Sequence, residues 1–291
     1  MKIDIHAHVF PKRGYVRDVF LSVEEQLQAN EEQGVDMAVI LPLIHYEIVQ
    51  TPQIIEDIAE LCRQYPDKFV FFMNLDPRMF YRNPEADFSP LIEYYLEMGA
   101  KGVGEMCANL PFDHPLMENM FSCIDKYELP LIFHIAPHQY GYYGILDDEN
   151  LTGLEGALQK FPNIKFLGHS ADFWSEISGD QMHGGYPDGP VAPGGRVVEL
   201  MRKYDNMMGD LSAGSGLNAI MRDREFGIWF LNEFQDKLYF GHDFCSVRNT
   251  KGMVKGMTLS RYMDGLLEEG AISREVYEKI CSGNARKLLK L

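Results

Sequence analysis

Polar and apolar residues alternate through the opening "KIDIH" (2–6), the period-two pattern of a short strand. Further short apolar runs, mostly rich in Val, Ile, Phe and Tyr, follow. They are "DMAVIL" (36–41), "FVFFMN" (69–74), "AKGVGE" (100–105), "PLIFH" (130–134), "IKFLGH" (164–169), "NMMGDLS" (206–212) and "KLYFGHD" (237–243). Their starts lie 30 to 42 residues apart, which fits one strand, one helix and two loops. The segments between them read as helices. "SVEEQLQANEEQG" opens on Ser22 with Glu25 three residues on, and closes at Gly34. "TPQIIEDIAELCRQYP" has Thr51, then Pro52 at the first helical position, and stops at Pro66. "SPLIEYYLEMG" repeats that order from Ser89 to Gly99. Strands alternating with helices imply parallel pairing, and eight such units close into a (β/α)8 TIM barrel. No low-complexity segment or Pro/Gly linker divides the chain, so one domain over residues 1–291 is expected.

Two connections are longer than a barrel needs: residues 134–150 after the fifth predicted strand and 169–195 after the sixth. Long loops rich in Gly, Pro and aromatic residues commonly serve binding. Both emerge at the strands' C-terminal face, where barrel enzymes keep their active sites.

Composition narrows the partners. Formal net charge is −16, from 43 acidic and 27 basic side chains, which disfavours phosphate backbones and anionic membranes. A small anionic substrate, which senses only its own pocket, is not excluded. No apolar run approaches the roughly 20 residues of a membrane span, and Met1 leads straight into the first strand. The five cysteines (62, 107, 123, 245 and 281) are odd in number and scattered, without a disulfide framework. A cytoplasmic protein acting on a small molecule is expected, with room for a homodimer.

The strand ends carry the candidate chemistry. The first ends in His6-Ala7-His8, the fourth in Glu105, the fifth in His134, the sixth in His169 and the eighth in Asp243. Residues i and i+2 of a strand share a side, so His6 and His8 can aim at one point. A single buried histidine is most often a hydrogen-bonded core residue, but five of eight strands ending in possible ligands at the same face is a set. Imidazoles and carboxylates are what zinc and similar borderline ions accept, with a position left open for water. A carboxylate at such a site, Asp243 here, can then take or deliver a proton. Cys107 and Cys245 lie just beyond strand ends and read as small buried fillers.

The pieces "DIHAH", "IFH", "FLGHSAD", "GDLSAGSGLNAI", "LYFGHDF" and "GNARKLLKL" run from residue 4 to the end of the chain. Together they resemble the amidohydrolase superfamily, and within it the amidohydrolase-related group that includes aminocarboxymuconate-semialdehyde decarboxylase. The resemblance implies that His6, His8, His134 and Asp243 bind one metal, usually zinc. In the decarboxylase branch it implies a general acid/base role for His169. "KGVGEM" adds Glu105, similar to the strand of TatD-type hydrolases whose carboxylate bridges two metals, with His134 and His169 on the second. The alternative for Glu105 is a structural carboxylate, but one beside a dicationic site would be drawn to it.

A second tier of residues could touch substrate: His138, Asp172, Trp174 and Arg248, with His183, Arg222 and Arg224 behind them. Loop packing accounts equally well for Trp174 and His183, and a surface cluster with Asp223 and Glu225 for the two arginines. Asp210 could orient a metal-binding histidine or cap the turn that follows it. His45 and His114 read as loop or surface residues. The leading expectation is a hydrolase of a small ester, lactone or amide, using water activated by one or two divalent metals, zinc foremost, with manganese or another divalent ion as alternatives. A zinc-dependent nonoxidative decarboxylase of an unsaturated or aromatic acid is second, and an inactive metal-binding barrel third.

Overall fold

The computed structural model describes residues 1–11, 20–48, 53–180 and 185–291. Thr51, Pro52 and His183, singled out above, lie outside them. The expected strands form as β1 (Ile3–Ala7), β2 (Met37–Ile40), β3 (Phe69–Phe71), β4 (Val103–Met106) and β5 (Pro130–Ala136). After a short addition, β6 (Ile145–Leu146), come β7 (Lys165–His169), β8 (Met207–Asp210) and β9 (Leu238–Tyr239).

All the pairings between these strands are parallel, in the runs β1-β2-β3 and β4-β5-β7-β8-β9. Two seams join the runs into a ring. Met73 pairs with Val103 and its N–H donates to Gly102 O at 2.9 Å, while Ile5 N–H donates to Phe240 O at 2.9 Å. The result is the eight-stranded TIM barrel that the strand spacing predicts. β6 departs from the expected loop: it lies alongside the end of β5, pairing Ile145 with Ile135. The loop after β5 thus returns to the barrel rim instead of standing open.

The barrel separates two apolar layers. Ile3, Ile5, Val39, Leu41, Phe72, Ile132, Leu167, Met208 and Tyr239 pack together in its interior. Ala7, Ala38, Ile40, Phe71, Leu131, Phe133 and Phe166 face the helices instead. In β5 and β7 the alternation continues unbroken, so Ile132 and Leu167 are followed two residues on by inward His134 and His169. β1 breaks it: Ile5 belongs to the interior layer and Ala7 to the outer one, with a register shift between Asp4 and Ala7. A slip of one residue exchanges faces, and here it turns His6 and His8 inward after Ile3 and Ile5. A second shift, between Val103 and Met106, accompanies the inward Glu105.

The helices follow their sequence signals closely at Val23–Gln33, where Ser22 and Glu25 form a reciprocal capping box and Gly34 ends the helix at φ 67°. Helix Ile55–Gln64 begins later than the Thr51-Pro52 signal predicts, with Ile54 before it and no side-chain cap. Helix Ser89–Glu97 includes Ser89 itself, and Asp87 Oδ1 accepts the Ser89 N–H at 2.9 Å. Among the described residues no helix is long and apolar enough to cross a membrane.

Candidate metal centre

Each inward side chain at a strand's C-terminal end is held by its neighbours. His6 Nδ1 lies 2.7 Å from Asp210 Oδ2, and His8 Nδ1 lies 3.0 Å from Leu41 O. Both partners only accept, so both Nδ1 atoms carry the proton and donate it. That leaves the two Nε2 atoms facing each other at 3.0 Å. Two imidazole lone pairs at that separation require a cation: a proton on one ring, or a metal ion beside both. The protonation balance agrees. Burial opposes charge on His6, yet the Asp243 and Asp210 carboxylates outweigh it and raise its pKa well above the usual histidine range.

Around this pair the other strand ends converge. Glu105 Oε2 lies 3.4 Å from His8 Nε2 and 3.7 Å from His6 Nε2, and Asp243 Oδ1 lies 3.3 and 3.8 Å from the same atoms. On the far side, His169 Nε2 is 3.9 Å from Glu105 Oε1 and 3.7 Å from Asp243 Oδ2. Burial would raise the Glu105 pKa, but its contacts with His6 and His8 take it well below the carboxylate range. Among the described residues four overlapping groups able to hold an ion result: His6–His8–Glu105, His6–His169–Asp243, His8–Asp243–Cys245 and Glu105–His134–His169. His134 Nδ1 is buried without a hydrogen-bond partner, and burial pushes the ring's pKa down to about 3, so it stays neutral and free to donate a lone pair. The facing lone pairs of His6 and His8 are what a divalent ion would satisfy, so the residues fit one.

Supporting contacts come from residues the spacing alone could not rank. Asp210 reaches a second ring, His169, at Nδ1 (3.3 Å), and its Oδ1 accepts the Ser212 N–H, so the orienting and capping alternatives both hold. Ser212 Oγ also lies 3.0 Å from His169 Nδ1. Asn74 donates to the Glu105 carbonyl at 2.7 Å, fixing the backbone of that strand end. Tyr143, from the loop after β5, rests its ring 4.4 Å from that of His134. Burial, then Glu105 and Asp243, raise its phenol pKa, and burial and Asp243 do the same to Tyr186. Neither tyrosine was singled out from sequence. The only signal was their place in the two long loops.

The remaining candidates lie elsewhere. Trp174 is buried, and its indole N–H donates to Asp210 O at 3.0 Å, so it props the centre from behind rather than meeting substrate. His138 is exposed, with Tyr142 against its ring. Arg248 is exposed ahead of the single turn Asn249–Lys251. Asp172 is half-buried and lines a cleft beside the end of β5 with Glu176 and Asp148. Arg224 pairs with Glu269, and Asp223 caps the helix Arg224–Glu233, so the alternative surface cluster with Asp223 and Glu225 does not take in Arg224. His45 is no surface residue: it is fully buried, its Nε2 donates to Leu75 O at 3.2 Å, and its Nδ1 accepts the Cys107 N–H. His114 caps the helix Pro115–Lys126. Cys107 is buried as expected, whereas Cys245 is only half-buried and its thiol lies against Asp243.

A parallel barrel with histidines and carboxylates gathered at its strand ends defines a class of enzymes that use divalent metals. The amidohydrolase family model matches residues 3–291, and the chain belongs to that family, whose members typically hold a divalent metal. No curated protein sequence matches the chain. Among solved structures it is similar to an uncharacterised TIM-barrel protein from Bordetella bronchiseptica, with a TM-score of 0.67, 15% identity and coverage of 99% of this chain and 98% of that one. It is also similar to a probable 2-pyrone-4,6-dicarboxylic acid hydrolase from Acinetobacter baumannii, with a TM-score of 0.59, 14% identity and coverage of 100% and 99%. A dihydroxybenzoic acid decarboxylase from a Polaromonas species, solved with bound manganese, gives a TM-score of 0.57, 14% identity and coverage of 100% and 97%. At these identities the likeness is one of fold.

Proposed function

We propose that this amidohydrolase-superfamily enzyme, working as one barrel domain over residues 1–291, hydrolyses an ester, lactone or amide bond in a small organic molecule with two divalent metals, zinc foremost. The observation that carries the reading is the placement of Glu105. One of its oxygens faces His6 and His8 and the other faces His169, so it could serve an ion on either side. His6, His8, Glu105 and Asp243 would hold the first ion, and Glu105, His134 and His169 the second. When bound, such ions polarise a carbonyl and bring the pKa of water to ≈ 7. Asp243, with one oxygen towards His8 and the other towards His169, takes the proton of the attacking water and returns it to the leaving group. Asp210 keeps His6 and His169 from turning by accepting from both Nδ1 atoms. The protonated phenols of Tyr143 and Tyr186 donate hydrogen bonds to substrate oxygens. The charge of −16 favours a small-molecule substrate over a nucleic acid.

The second reading is nonoxidative decarboxylation with one metal. The observation favouring it is that Asp210 and Ser212 both engage His169 at Nδ1, leaving Nε2 able to pass a proton. Metal analysis of the wild type beside His169→Asn and Glu105→Gln separates the two. Hydrolysis with two metals requires about two ions per chain, falling towards one in each variant. A wild type that never exceeds one ion, with a His169→Asn protein fully metallated yet inactive, moves the assignment to the decarboxylase.

A further inference from the structure

We propose that Cys245 is an additional ligand of the first metal and makes the centre selective for a borderline or soft divalent ion such as zinc over manganese or magnesium. The inference rests on the metal centre proposed above and concerns which ion it takes. Asp243 adopts a left-handed backbone conformation (φ 53°), and two residues later the Cys245 thiol comes back over the Asp243 carboxylate. Its Sγ lies 3.2 Å from Oδ1, the same oxygen that lies 3.3 Å from His8 Nε2. One ligand atom from each of His8, Asp243 and Cys245 falls within 4.8 Å of the others. With zinc bonds of about 2.0–2.1 Å to N or O and about 2.3 Å to S, neighbouring donors stand about 3.3–3.6 Å apart at tetrahedral angles and about 2.9–3.1 Å apart at the right angles of a five-ligand set. The oxygen–nitrogen separation matches the tetrahedral edge and the sulfur–oxygen separation lies between the two, spanned here by a thiol-to-carboxylate hydrogen bond that an ion would replace, so an ion bound by His8 and Asp243 would lie beside the sulfur.

Coordination is not a redox step here. The metal–sulfur bond forms as the S–H bond breaks, the proton leaves to solvent, and the thiolate supplies the electron pair. A thiolate in the ligand set shifts preference towards zinc and other thiophilic ions, because manganese and magnesium favour oxygen donors. Cys107 provides the control. It is buried beyond Glu105 and belongs to none of the ligand groups found among the described residues.

Cobalt(II) loading tests the assignment without a substrate, since sulfur bound to cobalt adds a charge-transfer band in the near ultraviolet. The wild type should show that band, and Cys107→Ser should keep it. Cys245→Ser and Cys245→Ala should lose it while still binding cobalt and melting like the wild type. Zinc affinity in the Cys245 variants should fall at least about tenfold, the low end of what loss of even an outer-shell partner costs. Manganese affinity should change little. Cobalt uptake without the band, or a band that survives in both Cys245 variants, overturns the thiolate ligand and leaves the metal centre standing. A protein that takes up no cobalt, or a His8→Ala variant that binds it as well as the wild type, removes the metal centre and this inference together.

Discussion

The two donor groups at the barrel mouth are held in different ways. His6 and His8 are tied from behind, one by the Asp210 carboxylate at 2.7 Å and the other by the Leu41 carbonyl at 3.0 Å. Both ties belong to the barrel wall, so the rings are set before any ion arrives. His134, in the second group, has no tie at Nδ1. Its ring is placed by packing, with Tyr143 4.4 Å away and Gly144 so close that a Cβ there would sit 2.8 Å from Nδ1. His169 stands between these cases, sharing Asp210 with His6. Preorganised ligands give up little freedom on binding, so the first ion should be the tighter. The second depends on how the loop after β5 is packed.

The harshest way to break this contrast is to remove a member of the wired group. His6→Ala takes away a ligand and one of the two rings that Asp210 holds, and Asp243→Ala removes a carboxylate that touches both groups. Each should weaken total metal binding by more than the roughly 10–100-fold that loss of an outer-shell partner costs, and turnover should be abolished. Metal content after gel filtration, read beside activity, checks this. Either variant with full metal content and normal turnover ends the assignment at that position.

How much of this was legible in the sequence depends on whether a contact is local. The strand ends were, because Ile132 and Leu167 pass their inward side to His134 and His169 by simple alternation. The capping box at Ser22 and Glu25 was, since both halves lie within four residues. In β1 the pattern alone places His6 opposite Ile5. Only the register shift before Ala7 turns both inward, and a shift is set by the neighbouring strand. Apart from Ser212, two residues on, the partners of Asp210 lie on β1, β7 and the short helix after β7, more than thirty residues away, so its role in holding two histidines depends on barrel closure. Trp174 illustrates the reverse error. A tryptophan in a long loop suggests a substrate contact, but the short helix Ala171–Ser175 folds it under Gly209 and into the core. Tyr143 and Cys245 reach the centre through backbone turns whose course no spacing rule fixes.

A milder change acts on the packed group alone. Gly144 has φ 122°, a conformation that side chains rarely adopt, and a Cβ there meets His134 Nδ1 and O and Ala136 N within 2.8 Å. Gly144→Ala should cost about 1–3 kcal/mol in stability. It should also displace the His134 ring, so that the second ion is lost while the first, on His6, His8 and Asp243, is retained. Competitive chelation, read as two separate metal-release steps, checks this. If both steps weaken equally, the two groups are not independent and the contrast between wired and packed ligands fails.

The smallest effect is expected far from the centre, and it tells site wiring apart from loss of overall stability. Glu155 ties the helix Thr152–Lys160 to the helix Arg196–Lys203, accepting from Lys203 Nζ and Tyr204 OH at 2.7 Å each and from Arg196. The Lys203 and Tyr204 contacts, with Arg196 beside them, lower its carboxyl pKa from 4.5 to about 2, so the folded protein holds fewer protons at this site than the unfolded chain between those values. Stability from the network is therefore fully present above about pH 4.5 and is lost as pH falls towards 2. The cluster lies near the surface, so Glu155→Gln should cost only about 1 kcal/mol at pH 7. Denaturant melts should show the gap to the wild type closing as the pH drops below 4.5. Metal content should not move, because no ligand or orienting residue is touched. If Glu155→Gln sheds the second ion as readily as Gly144→Ala does, general softening of the fold explains both losses, and the packing of His134 by its own loop no longer does.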